Sequence, residues 1–397
     1  MWLRWSIVAV TCLVGVSAEA GEPVAANPQS VVIGFVTEHQ HHTQSASPLD
    51  VNADDEGLQG ARLALSDNAT TGRFTGQAFV LAERVVSDPQ SAADAVRQLG
   101  DATAFIVADL PSDALQAALG ALSDGVTVLN TRVTDDQLRN EGCRGSLLHV
   151  APSRAMTADA LAQYLAVKRW NRWLLVIGRH PEDELYSAAI RRAAARFGAR
   201  IVAERRWTFE AGNPHADTGH VNLQAEVPAA TRGPDHDVLI VADEADEFGD
   251  SLPYRTAAPR PVAGTEGLIA TAWSPVQEQW GALQLQSRFH KQARRAMTSR
   301  DYTAWLAVRA LGEAALRTQS NDAHTILSFM TGKNFRLAGF KGESMSFRPW
   351  DGQLRQPVLI AGPRMLVSVS PQPEFLHEGS NLDSLGFDAA DSKCRRP

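Results

Sequence analysis

The stretch AFIVADLPSDALQAALGALSDGVTVLN, residues 104–130, holds three kinds of local order in one line. Residues 104–108 are a short apolar run, 113–122 an alanine- and leucine-rich helical segment, and 126–129 a second apolar run. Short apolar runs bounded by turn formers and separated by one helix are the pattern of parallel strands joined by a crossover. The same unit recurs on the N-terminal side: strand 31–36, helix 56–68, strand 79–86 and helix 91–99. Together these segments make one doubly wound lobe.

A second series follows Pro152: helix 155–168, strand 173–177, helix 182–197, strand 201–207 and strand 238–242. Between the last two lies a polar stretch, 210–234, rich in glycine and proline, with an irregular segment and one short helix expected in it. A short strand at 261–265 precedes three helices in a row, 275–291, 301–318 and 322–330. Short β-like pieces come last, at 336–337, 345–347 and 357–360, with an Asp-Gly turn at Asp351-Gly352. Helices with no strand of their own must cover an existing sheet. The chain is therefore expected to return to the first lobe for these helices and then to the second for the hairpin. The predicted fold class is α/β, with two doubly wound Rossmann-like lobes joined by a three-segment hinge around a cleft. The expected boundaries are 21–148 plus 270–338 for the first lobe, 149–269 plus 339–370 for the second, and 371–397 for a C-terminal tail.

A chain of 397 residues exceeds what a single core organises, which agrees with two lobes. Its hydrophobic share of 44% and charged share of 21% are those of a globular protein. The net charge of -7 argues against a general nucleic-acid binder, which needs a basic face. Residues 1–20 read as a secretory signal peptide: Arg4, an apolar run over 6–16, and small residues ending at Ala20. A periplasmic location is expected, with no membrane insertion, because no later apolar stretch reaches the length of a spanning helix. Cys12 falls in the leader, leaving Cys143 and Cys394. In an oxidising compartment they are expected to pair as a disulfide, with two free thiols as the alternative.

No GxSxG elbow, GxGxxG fingerprint, HExxH or CxxC occurs, and Gly332-Lys333 is followed by Asn334 rather than by the hydroxyl residue of a P-loop. The expectation is a binding protein without cofactor and not an enzyme. A secreted enzyme whose site is assembled from distant residues is the less favoured alternative.

Val-Val-Ile-Gly-Phe-Val at 31–36, Leu-His-Val-Ala-Pro-Ser at 148–153, Arg-Phe-Gly-Ala at 196–199, Gly-Thr-Glu-Gly at 264–267 and Asp-Gly-Gln at 351–353 occur in this order. With the leader, they make the chain resemble the type I periplasmic binding proteins of branched-chain amino-acid ABC importers. Longer blocks are similar to the subfamily that accompanies PQQ-dependent alcohol dehydrogenase systems: Asp54-Asp55-Glu56-Gly57-Leu58, residues 67–74, Val107-Ala108-Asp109-Leu110-Pro111, the acidic run 243–250, and FRPWDGQLRQP at 347–357. The resemblance implies a monomer that captures a small ligand between the lobes and passes it to ABC permease and ATPase subunits. A metal-complex ligand, including a lanthanide complex, stands beside an alcohol-derived small molecule as cargo. A sensor or scaffold of the dehydrogenase system is the alternative role.

In open parallel sheets, ligands sit beyond the carboxyl ends of the strands. That rule selects Glu38, Asp109, the loop 130–134, Asp183 and Asp243. The resemblance implies Ser112 and Thr134 as holders of a ligand carboxylate and Glu266 as the acid for an ammonium. The chain departs from the amino-acid binders where they show Tyr-Gly after the first strand of the second lobe, because it has Pro181-Glu182-Asp183-Glu184 there. The run 243–250 reads either as a cation-binding edge or as acids at the positive end of a helix. His39, His41 and His42 are weak candidates for a divalent metal, or exposed loop residues. Trp273, just after the second crossing, is a candidate cleft residue, with core packing as its default.

Overall fold

The computed structural model describes residues 29–38, 53–208 and 219–394. Residues 1–28, read above as containing a signal peptide, the His39, His41 and His42 cluster and the first part of the polar stretch lie outside the described residues.

The first sheet is built from β1 (Gln29–Glu38), β2 (Gln77–Val86), β3 (Phe105–Asp109), β4 (Thr127–Asn130) and β5 (Leu147–His149). All its pairs are parallel, in the order β2-β1-β3-β4-β5. The connecting helices α1 (Leu58–Thr75), α2 (Pro89–Gly100) and α3 (Ser112–Gly120) return the chain to the same edge. Every residue of β3 and β4 is buried, because helices cover both faces of the sheet, so these strands read as continuous apolar runs without alternation. α2 starts where it does because Asp88 and Ser91 cap each other reciprocally and Pro89 is preset for the first turn.

The chain then builds α4 (Arg154–Val167), β6 (Arg172–Ile177), α5 (Pro181–Arg196), β7 (Arg200–Arg206), α6 (Gly219–Ala230), β8 (Val238–Ala242), β9 (Val262–Gly264) and β10 (Leu268–Thr271). Next come α7 (Ala282–Ala293), α8 (Ser299–Thr318) and α9 (Ala323–Met330). As expected for helices without strands, they lie on the first sheet: Trp305, Leu306 and Leu311 share one core with Val31, Ile33 and Phe35. α1 and α8 pack closely enough to require glycine on each helix. A Cβ at Gly60 would fall 1.8 Å from the Asp301 carbonyl oxygen, and one at Gly312 would fall 2.0 Å from Asn68 Nδ2.

A small antiparallel sheet follows, of β11 (Leu337–Ala338), β12 (Ser344–Phe347) and β13 (Leu354–Arg355). Leu337, Met345, Phe347 and Leu354 belong to the first core. The hairpin's apolar face is therefore covered by the same core that holds Ile326 and Met330 of α9 and Leu306 and Leu311 of α8. β14 (Val358–Ala361) and β15 (Leu366–Ser370) then extend the second sheet antiparallel to its edge, in the order β15-β14-β10-β9-β8-β6-β7. Strands as short as β5 and β10, and the edge strand β15, carry too little periodicity to be read beforehand. α7 begins at Ala282 and not near 275, because Gly281 enters it with a φ of 83°.

The three connections between the sheets are fastened together. Gln356 Nε2 donates to the Val150 carbonyl at 2.6 Å, while Lys341 Nζ donates to the carbonyls of Ala272 at 3.0 Å and Pro357 at 2.6 Å. Gln353 joins in, donating to the carbonyls of His149 and Ala151 and accepting from Arg139 Nε at 2.6 Å. Cys143 and Cys394 form a disulfide across 251 residues, tying the tail back to the loop before β5.

Candidate functional site

The loops at the carboxyl ends of both parallel sheets meet, and one arginine marks the junction. Arg154, at the start of α4, donates Nε and Nη2 to Glu244 after β8, at 2.6–3.0 Å, and Nη1 to Asp135 after β4. Ser112 Oγ donates to the other oxygen of Asp135 at 2.6 Å. The Ser112 hydroxyl, expected to face a ligand carboxylate, is thus spent on holding Asp135 toward the second lobe. The Arg154 amide also donates to the Thr134 carbonyl at 3.0 Å, so Thr134 meets the second lobe through its backbone. Burial works against both charges of the Arg154–Glu244 pair. The two carboxylates outweigh it for Arg154, whose guanidinium is held more firmly protonated than usual, whereas desolvation prevails at Glu244 and raises its carboxyl.

On the first lobe's edge, Asp109 is fully buried. It accepts from Thr37 Oγ1 at 2.9 Å and from Arg300 Nε and Nη2 at 3.2 and 2.8 Å, and Arg300 also reaches Glu56 at 3.1 Å. Arg300 comes from the N-terminus of α8, so this network assembles one wall from β1, β3, α1 and α8. Gly57 is required beside it, since a Cβ there would lie 2.4 Å from Asp109 Oδ2 and its φ is 75°. Glu38, at the end of β1, is half-buried on the same edge.

On the second lobe's edge, Asp183 accepts from the amides of His180 at 3.0 Å and Ala245 at 3.2 Å, capping α5 while bracing the loop after β8. Asp243 collects the amides of Glu247, Phe248 and Gly249 at 2.7–3.0 Å. The acidic run therefore opens as a loop folded around the Asp243 carboxylate and then enters a short 3-10 helix, Gly249–Tyr254, with Asp250 in its first turn. Glu266 differs from these two. It is half-buried after β9, and burial together with the neighbouring Asp250, Asp246 and Asp243 raises its carboxyl to about 8. One carboxylate oxygen each from Asp246, Asp250 and Glu266 lie within 4.8 Å of one another, the only such metal-ligand grouping among the described residues. An all-oxygen set of this kind suits a hard cation such as Ca²⁺.

Trp273 is corrected. It is 2% exposed and stacks on Tyr302 with ring centroids 4.4 Å apart, inside the first lobe's core. The apolar face available behind α8 is what draws it away from the cleft.

Sequence reasoning placed Arg132 within a loop of interest without singling it out, and gave Arg154 and Arg300 no role. The signal available was positional: each arginine stands at a strand end or a helix start that the strand-end rule addresses.

The two-sheet fold is similar to solved structures over nearly all of the chain. A branched-chain amino-acid ABC transporter periplasmic ligand-binding protein from Burkholderia xenovorans LB400 is 16% identical, with a TM-score of 0.67 over 92% of this chain and 99% of that one. The leucine-, isoleucine-, valine-, threonine- and alanine-binding protein from Brucella ovis, in a closed conformation, is 15% identical, with a TM-score of 0.63 over 94% and 100%. A solute-binding protein of an ABC transporter from Rhodopseudomonas palustris BisB5, in complex with 3,4-dihydroxybenzoic acid, is 13% identical, with a TM-score of 0.62 over 84% and 93%. This is the type I periplasmic binding protein fold. The family model described as periplasmic binding protein matches residues 44–228. No curated protein matches the sequence. The Arg154 bridge joins the strand-end loops of the two sheets. No helix among the described residues is long and apolar enough to cross a membrane.

Proposed function

We propose that this chain is the periplasmic solute-binding component of an ABC transporter, capturing a small molecule between its lobes without turnover and presenting it to permease and ATPase subunits. The observation that carries this reading is the junction of the two carboxyl edges: the Ser112–Asp135–Arg154–Glu244 chain links them through polar bonds. Polar contacts across a three-stranded hinge can exchange with water as the lobes part, whereas an apolar interface would hold them together. Glu266, Thr134 and Glu38 line the edge as ligand-contacting residues; Asp109, Asp183 and Asp243 hold the loops that carry them. Among the similar structures, one is named for binding leucine, isoleucine, valine, threonine and alanine and another holds 3,4-dihydroxybenzoic acid. The blocks 54–58, 243–250 and 347–357 support the narrower reading that the solute belongs to PQQ-dependent alcohol oxidation.

The test is closure. Small-angle scattering of the full chain, with and without solute extracted from the protein after purification from its own periplasm, is expected to show a smaller radius of gyration in the bound state. Co-purification with the permease complex is expected only for that state. Turnover of the bound solute would replace this reading with an enzymatic one.

A further inference from the structure

Arg132 is the second residue after β4, which ends at Asn130, on the carboxyl edge that faces the second lobe. Its backbone amide is fixed by Asn130 Oδ1 at 3.2 Å. Its guanidinium is different: Nη1 is buried and bonds to nothing, and no ion pair involves Arg132 among the described residues, although twenty-six other pairs do form. Burial, and then repulsion from Arg300, make its positive charge harder to keep than usual, and outweigh the attraction of Asp109, Glu38 and Glu56. Two of those carboxylates are already committed, Asp109 and Glu56 both to Arg300. A buried group that can only donate, left without an acceptor, is costly, so its persistence at a cleft edge points to an acceptor that arrives from outside.

We propose that Arg132 is the anchor for a carboxylate on the bound solute, which makes the cargo a small carboxylic acid and not a neutral alcohol or a bare metal ion. The proposal rests on the solute-binding reading. A guanidinium fork matches a carboxylate with two parallel bonds. The Asp109, Glu38 and Glu56 carboxylates nearby favour one added negative charge over the two of a phosphate dianion. Thr134, two residues on, lies within the same loop, so carboxylate capture draws on the β4 edge, with Ser112 committed to Asp135.

Three measurements decide it. Solute released from protein purified from its native periplasm is identified by mass spectrometry. Wild type, Arg132→Met and Arg132→Lys are titrated with that solute and with L-leucine, benzoate and 3,4-dihydroxybenzoate, each beside its uncharged amide, and with inorganic phosphate. The thermal midpoint of Arg132→Met is measured without solute. The expected result is a carboxylate solute whose affinity falls at least about 30-fold in Arg132→Met and less in Arg132→Lys, with the amides failing to bind. Arg132→Met without solute should melt no lower than wild type, since its guanidinium has no partner to lose. A released solute lacking a carboxylate, amides or phosphate binding as well as the acids, or a marked loss of stability in Arg132→Met overturns the proposal while leaving solute capture intact. No released solute and no binding of any probe overturns the underlying reading itself.

Discussion

Lys341 Nζ donates to Gln356 Oε1 across 2.8 Å, and between them the two side chains touch all three segments that join the lobes. Lys341 is 1% exposed and no carboxylate pairs with it among the described residues; burial pushes its ammonium well below the ordinary lysine range. Its stem also passes the face of Tyr302, with Nζ 4.9 Å from the ring centroid. The hinge is thus clasped by hydrogen bonds to carbonyls, with no ion pair at its centre.

Replacing Lys341 by Met keeps the stem and removes the donor, leaving the Ala272 and Pro357 carbonyls and Gln356 Oε1 short of a partner. The expected loss is about 2–3 kcal/mol in denaturant unfolding. Solute affinity should fall with it, because the hinge segments no longer share a fixed pivot. An unchanged unfolding midpoint would show that water replaces the ammonium at no cost.

Arg154→Gln strands Asp135 and Glu244 against each other at the cleft mouth. Since both retain some contact with solvent, the cost is set at about 2 kcal/mol, below that of a fully buried pair. Scattering without solute should show a larger radius of gyration as like charges part the lobes. Adding Glu244→Gln to Arg154→Gln should recover much of the stability; equal instability of the double variant would mean that the bridge is not the source of the effect.

Glu266 makes stability depend on pH in a defined direction. Its folded-state carboxyl sits at about 8 against an ordinary 4.5, so its contribution is complete below about 4.5 and is lost as pH rises through 8. Glu266→Gln cannot ionise. The variant should match wild type in melting temperature near pH 4.5, gain on it steadily up to about pH 8, and stay ahead above that. A difference that does not change with pH would contradict the assignment.

Gly312→Ala tests the α1–α8 contact that carries Arg300 to the cleft. The added methyl would meet the Asn68 amide, which is itself fixed by a 2.9 Å bond to the Val308 carbonyl. A loss of about 1–3 kcal/mol is expected. Solute affinity should also fall, because Arg300 is displaced relative to Asp109. Wild-type stability would mean that the helices separate freely at this point.

The fold was legible because its information is local. The unit at 104–130 states strand, helix and strand within a single window, and the three strandless helices could only cover a sheet already present. The site was less legible because partnership is not local. Asp109 reads as an acid at a strand end, but its use is decided by Arg300, 191 residues later. Asp243 looked like the start of a cation edge, although the amides that consume it lie four to six residues on, within reach of a more careful turn argument. Arg132 was opaque for the opposite reason: a sequence shows that a charge is present, and only coordinates show that it has no mate.

The Cys143–Cys394 bond makes most of the chain a covalent ring. Both hinge returns, the entire second sheet and the helices α4 to α9 lie within it, and among the described residues β1 to β4 with their helices and the loop up to Gly142 hang outside. A protease that nicks one surface loop of the ring therefore releases no fragment. The cut protein keeps both lobes opposed, and its breakage is visible only after reduction. For a protein expected to work among secreted proteases, the bond acts as insurance against a single cut as well as a brace for the tail.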